Sequence, residues 1–323
     1  MMEKLQTYKV ICRGGLNSNE NFLELSDNLP GGATTLINYE SSLFGGYRKI
    51  NGFIPLEDDN AEVDPVGAEG KILGVAIYGD DIIAARKQQG SATYKFYKRD
   101  EGNPWDDYAT GLTLTSTNVD KIRYDTFNFD GDEKIAFADG ENALTLFDGT
   151  SWVDVDSADS GADYANAGGD QALDEPKFIV VFKNHLFVTG DAANPHLVAH
   201  SAPEAEYDWT SASGAGQIVA GFDVVTIYPW RDELYVFGKL KIRKIVVEGT
   251  DFVLKDVTTD IGCLAADSVQ EINGDLAFLS QDGIRTIAGT QRNEDIELGT
   301  LSKSIQQDMI DLVTSADLAS VSS

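Results

Sequence analysis

Short runs of β-branched and aromatic residues recur along the chain, broken by Gly, Asp and Asn, and helical periodicity is scarce. That pattern predicts strands joined by tight turns. Five runs share one design, a strand, a polar turn and a more apolar strand. They are Val75 to Ala85, Thr126 to Ala138, Phe178 to Gly190, Val224 to Gly238 and Ser268 to Ser280. With Gly79, Gly131, Asn184, Asp232 and Gly274 as turn markers, the unit repeats roughly every 40–55 residues. Most units continue into a second strand pair: Ala143 to Val155, Lys241 to Val257 and, more weakly, Thr93 to Tyr108. One four-stranded sheet cannot bury both faces alone, so such units stack on one another. The expected fold is all-β, a β-propeller-like array of four-stranded blades. A jelly roll or β-sandwich is the rival, which strand alternation alone does not separate. Trp105, Trp152 and Trp209 fall late in their units, where outer-strand or inter-blade packing is expected, whereas Trp230 reads as a turn residue.

The repeats divide the chain into an N-terminal segment, 1–64, which could supply interface or platform strands, a propeller, 65–300, and a terminal segment, 301–323. In the last of these Ile305, Met309, Ile310 and Val313 stand at helical spacing, with Ser302 or Ser304 as a cap. They predict one short C-terminal helix. Glu57 to Gly70 is acidic with Pro and Gly, and reads as a linker or exposed loop. Asp156 to Pro176 is long for a loop in a compact domain, which points to a partner contact or a flap.

Charge narrows the range of partners. The 323 residues include 53 Asp and Glu against 25 Lys and Arg, a formal net charge of −28. With 42% hydrophobic and 10% aromatic residues the chain is globular rather than a disordered acidic polymer. The field has the wrong sign for gripping nucleic acid or anionic lipid. No run of 18 apolar residues predicts a membrane span, and Met1 to Val10 has no secretory stretch. Cys12 and Cys263 could form one disulfide, but two cysteines do not make a disulfide scaffold.

Candidate chemistry is thin. His196 and His200 are four apart, but in a β context that spacing does not converge on a metal, so packing or surface roles are expected for them and for His185. Asp125 to Lys134, DTFNFDGDEK, resembles a calcium loop. Thr126 takes the first ligand position, though, and Lys134 stands where an acid is wanted. An Asp-Gly hairpin turn explains the same residues. Leu146 to Trp152, LFDGTSW, is similar to the Asp-box of sialidase propellers but lacks its leading Ser and its spacing. Gly14 to Asn21 lacks the Lys-Ser/Thr end of a phosphate loop, and there is no GxSxG elbow. Cys263 has no His near it in sequence and reads as a small buried residue. No catalytic residue, metal ligand or cofactor is assigned, and an enzyme is not expected.

Two stretches are more specific. Thr34 to Phe53 contains Leu36, Asn38, Tyr39 and Glu40, then Gly45, Gly46, Tyr47, Arg48, Ile50, Gly52 and Phe53. Thr258 to Thr290 contains Ile261, Gly262, Cys263, Asp267 and Ser268, then Phe278, Leu279, Ser280, Asp282, Gly283, Ile284 and Arg285. Together with the blade unit Thr226 to Gly249, these resemble the tail nozzle or tail hub proteins of short-tailed bacteriophages. The matched motifs run from about residue 34 to 308. Family members usually continue past the equivalent of DLASVSS with further strands, so closure of the last blade is an open point.

The resemblance implies a structural virion protein, assembled in the host cytoplasm into a ring, commonly a hexamer, at the distal tail. Its partners would be further copies of itself, tail adaptor or tube proteins, and fibres or spikes. DNA would pass through its channel without specific binding, and acidic walls would keep it sliding. Gly45, Gly46, Tyr47 and Arg48 are the candidate subunit-interface residues, with a tight turn feeding a strand as the plainer reading. The rival functions are a receptor- or carbohydrate-binding propeller, which needs exposed Trp or Tyr on each blade, and a glycan hydrolase, which needs a defined carboxylate pair.

Overall fold

The computed structural model describes residues 14–19, 31–42, 46–52, 70–99, 105–108, 110–158, 167–288 and 301–315. The chain forms two compact units, one of residues 56–266 and one of residues 1–55 with 267–323.

The first of these units holds four antiparallel sheets in chain order. Strands β3 (Ile72–Tyr78), β4 (Asp81–Lys87), β5 (Tyr94–Arg99) and β6 (Asp106–Tyr108) make blade 1. Blade 2 is β7 (Arg123–Phe127), β8 (Lys134–Ala138), β9 (Leu144–Phe147) and β10 (Trp152–Val155). Blade 3 is β11 (Phe178–Phe182), β12 (His185–Thr189), β13 (Leu197–His200) and β14 (Gly216–Val219). Blade 4 is β15 (Val224–Trp230), β16 (Glu233–Gly238), β17 (Ile242–Glu248) and β18 (Asp251–Thr258). The expected array of four-stranded blades is what the chain forms.

The turns explain why the first hairpins fold where they do. Lys183 and Asn184 have φ of 49° and 61°, and Arg231 and Asp232 have 48° and 63°. These two-residue turns, positive at both central positions, match the twist of the strands they join. All five markers lie in turns between paired strands, Gly131 in a longer loop.

Stacking explains the continuous burial of the second strands. Successive residues of a strand face opposite sides, and here both sides are covered. On β8, Ile135 and Phe137 pack toward blade 1 while Ala136 and Ala138 pack toward blade 3. On β12, Leu186 and Val188 face blade 2 and Phe187 faces blade 4. Three apolar cores thus fill the three seams between the four blades.

The tryptophans mark those seams. Trp152 opens the outer strand β10 and stacks on Phe96 of blade 1 and Phe147 of its own blade, at centroid distances of 4.8 and 4.5 Å. Trp209 is wholly buried in the seam between blades 2 and 3. Trp105 lies half-buried beside β6. Trp230 departs from its expected place, because it is the buried last residue of β15 and the turn begins after it. Pro229 makes this stretch look like a turn, yet β15 is an edge strand, where a missing N–H costs no ladder bond.

The other unit holds a two-stranded hairpin, β1 (Tyr39–Ser41) with β2 (Tyr47–Lys49), and a three-stranded sheet. That sheet is β19 (Gln270–Ile272), β20 (Asp275–Ser280) and β21 (Gly283–Thr286). A 3₁₀ turn, Lys303–Ile305, leads into helix α1, Gln306–Ser315. The Ser302 hydroxyl accepts from Ile284 N at 3.1 Å instead of capping the helix. Leu301 N bonds Ile284 O at 2.8 Å, so this segment sits on the outer edge of β21. Among the described residues that sheet has three strands.

Candidate assembly residues

Gly45 lies outside the described residues, and Gly46, Tyr47 and Arg48 are described. Gly46 has φ of 88°, and its carbonyl accepts from Ser42 N at 2.9 Å, so it is a tight-turn glycine. The Tyr47 hydroxyl lies 3.1 and 2.8 Å from the carbonyl oxygens of Gly15 and Gly31, tying the hairpin to those two segments. Arg48 Nε meets Glu40 Oε1 at 2.6 Å, directly across the ladder. Both are exposed, so the pair contributes little. Ile37, Tyr39 and Ile50 of the same hairpin are exposed apolar residues. A two-stranded hairpin is marginal by itself, and this one presents apolar surface.

The second set of motif residues holds strands together. Gly262 lies so close to blade 4 that a Cβ there would stand 2.1 Å from Gly238 O and 2.5 Å from Lys239 C. Cys263 N donates to Gly238 O at 2.9 Å, and its buried thiol donates to Ala265 O at 3.0 Å. The Val236-Phe237-Gly238 and Ile261-Gly262-Cys263 stretches therefore meet directly. Cys12, the other half of the conceivable disulfide, lies outside the described residues.

In the three-stranded sheet, Arg285 is buried and paired with Asp282 across the Ser280–Gly283 turn. The guanidinium holds Asp282 below the usual carboxylate range. Ser268 Oγ accepts from Leu279 N at 3.1 Å.

Polar contacts between blades were not legible in the sequence. Lys134 Nζ is buried at the seam of blades 2 and 3, 2.7 Å from Asp130 Oδ2, bonded to Glu206 Oε1 and 5.6 Å from the Tyr207 ring centroid. Burial pulls this ammonium's pKa down, but the hydrogen bonds to Asp130 and Glu206 outweigh it, and the group sits above its ordinary value. The stretch that resembles a calcium loop thus has a lysine ammonium on its Asp130 carboxylate. Among the described residues no cluster of three or more His, Cys, Asp or Glu could hold a metal.

Asp125, on the first strand of blade 2, accepts from Val181 N of blade 3 at 2.7 Å and from Thr126 N at 2.9 Å. Burial pushes its pKa up against those two bonds. Asp139 and Asp191 are buried at equivalent turns, each accepting backbone N–H groups two residues on, with Asn142 and Asn194 three residues on. The Asp-x-x-Asn spacing therefore repeats in successive blades.

His200 pairs with His185 rather than His196. Their rings lie 5.1 Å apart at 87°, with both Nδ1 atoms on the Ser201 carbonyl at 2.7 and 3.0 Å. Burial lowers both pKa values.

Two expectations lie largely or partly outside the described residues: the acidic stretch 57–69, and 159–166 of the long insertion. A small apolar cavity of about 10 Å³, room for one water at most, lies between Ile83, Phe96, Ile122 and Phe137. No helix is long and apolar enough to cross a membrane, among the residues described.

No family model matches the chain, and no curated protein does. Solved structures match weakly. BBS1N in complex with ARL6DN is 12% identical over 68% of this chain and 66% of that one, with a TM-score of 0.41. A putative oxidoreductase (glucose dehydrogenase) of Thermus thermophilus is 14% identical over 81% and 93%, at 0.40. Raptor of Chaetomium thermophilum is 11% identical over 75% and 21%, at 0.38. The chain spans less than two thirds of the length of the first and last of these. Likeness at this level carries no argument about function.

Proposed function

We propose that the chain is a structural protein of a bacteriophage tail, a subunit of the nozzle or hub ring through which the genome leaves. The observation that carries the reading is the resemblance of three ordered stretches to that family, two of which pack on each other at Gly238, Gly262 and Cys263. The matching residues that are described hold turns, strand edges and the ion pair of buried Arg285 with half-buried Asp282. The exposed hairpin around Tyr39, Tyr47 and Arg48 supplies surface for a neighbouring subunit. The net charge of −28 suits a conduit that must not hold DNA. The rival sugar-binding reading needs an exposed Trp or Tyr on each blade; among the described residues of the four blades Tyr124 on blade 2 is exposed, whereas Trp209 and Trp230 are buried and Trp152 stacks within a seam.

The test is the oligomeric state of the purified protein, alone and with its tail neighbours, by mass photometry and negative-stain microscopy. A ring with an axial channel is expected. A strict monomer in both conditions overturns the reading.

A further inference from the structure

The chain holds two Asn-Gly pairs, Asn51-Gly52 and Asn273-Gly274, and the fold treats them differently. Asparagine followed by glycine is a chemically labile point of a polypeptide in water, because no side chain shields the glycine nitrogen from the asparagine amide beside it. Attack on that amide needs the glycine nitrogen and the asparagine Cβ on the same side of the Cα–C bond. Backbone conformation therefore decides which pair reacts.

Asn273-Gly274 is closed off by its turn. Ile272 pairs with Asp275, so the two residues form the centre of the β19–β20 hairpin, with φ of 52° and 76°. A two-residue turn positive at both positions holds Asn273 in the left-handed region, with its Cβ and the Gly274 nitrogen on opposite sides of the bond. Asp275 Oδ1 anchors the base of this turn, accepting from Leu276 N at 2.8 Å and from Ala288 N at 3.1 Å. Asn273 is exposed all the same, so exposure alone does not separate the two pairs.

Asn51-Gly52 has no such restraint. The β1–β2 hairpin is bonded as far as Ile50 N, which donates to Asn38 O at 2.9 Å, and the next two residues belong to neither strand nor turn. Both are exposed, and neither has its φ in the left-handed region. A Cβ on Gly52 would meet nothing within 4 Å.

We infer that Asn51 is a site of spontaneous deamidation through a cyclic imide. The Gly52 nitrogen bonds to Cγ of Asn51 and gives up its proton, the Cγ–Nδ2 bond breaks, and ammonia leaves with that proton. Water then adds to either carbonyl of the imide. Opening at Cγ gives aspartate and opening at the backbone carbonyl gives isoaspartate, with no oxidation or reduction at any step. Either product places a carboxylate directly after Ile50, an exposed apolar residue beside the hairpin that carries Tyr47 and Arg48. The isoaspartyl product also lengthens the backbone there by one methylene.

The experiment incubates the full chain at mildly alkaline pH in water enriched in heavy oxygen, once folded and once in guanidinium chloride. Peptide mass mapping reads, at each asparagine, the exchange of an amide for a carboxyl carrying a heavy oxygen. Methylation by an isoaspartyl methyltransferase reads the isoaspartyl share. In the folded chain Asn51 is expected to convert at least tenfold faster than Asn273, and in denaturant the two rates are expected to converge. Gly52→Val is expected to slow Asn51 at least tenfold in the folded chain with an unchanged melting temperature, since Gly52 stands in open space. Equal rates at the two sites in the folded chain overturn the inference. So does an Asn51 that converts only in denaturant, or one that converts as fast in Gly52→Val as in the wild type.

Discussion

Lys134 tests the seam between blades 2 and 3 because the structure makes its loss asymmetric. At about 3 Å, a charge pair in surroundings of effective dielectric about 20 attracts by roughly 5 kcal/mol. Withdrawing the two ions from water costs several kcal/mol each. The intact Lys134–Glu206 pair therefore comes out near neutral. Lys134→Met removes the attraction and leaves the buried Glu206 carboxylate with its desolvation uncompensated. The expected loss is about 3–5 kcal/mol. At about 2–4 °C per kcal/mol for a unit of this size, melting falls by roughly 6–20 °C. Lys134→Met/Glu206→Leu removes both charges and is expected to recover to within about 1 kcal/mol of the wild type. The assay is urea unfolding followed by tryptophan fluorescence, since Trp209 Nε1 donates to Glu206 O at 3.0 Å in the same seam. Because the ammonium is held above its ordinary pKa, the contribution is complete at neutral pH and is lost only as pH rises beyond about 10. A single variant within about 1 kcal/mol of wild type, or a double variant no better than the single, refutes the reasoning.

The remaining predictions concern other joints. Gly262→Ala forces a methyl against backbone atoms of Gly238 to Leu240 and strains the Cys263–Gly238 bond, so a loss of about 2–4 kcal/mol is expected, read by denaturant midpoint. Trp152→Ala opens the seam of blades 1 and 2 and is expected to cost about 3 kcal/mol, checked by calorimetry. His185 and His200 have pKa values lowered by burial, so their contribution is complete above about pH 7 and is lost as pH falls through their unfolded value near 6.5 toward the lower folded one. A His185→Gln/His200→Gln variant should therefore show a flatter stability profile between about pH 7 and 5, and an unchanged slope counts against the buried pair.

Much of the blade order was legible because it rests on local chemistry. β-branched runs bounded by Asn184, Asp232 and Gly79 fix both the strands and the turn that joins them. The second pair of blade 3, β13 and β14, was not among the predicted hairpins. Its strands are four residues each, and a fifteen-residue loop rich in Ser and Ala separates them. Trp230 was misplaced because Pro229 signals a turn in sequence, while an edge strand tolerates it in the fold. Lys134 and Glu206 are 72 positions apart, and Asp125 and Val181 are 56 apart. Neither pair has a local signature, since what joins them is the stacking of one blade on the next. Of the candidate interface, the turn glycine and the strand were visible, but the cross-ladder Arg48–Glu40 pair depends on register, which the sequence pattern leaves open.

The central claim is that copies of this chain surround a channel in a phage tail. Electron cryomicroscopy of tail particles carrying the protein measures this most directly. The expected density is a ring of this chain at the distal end, with stacked blades and an axial opening. Density that places the chain as isolated monomers on fibres contradicts the claim.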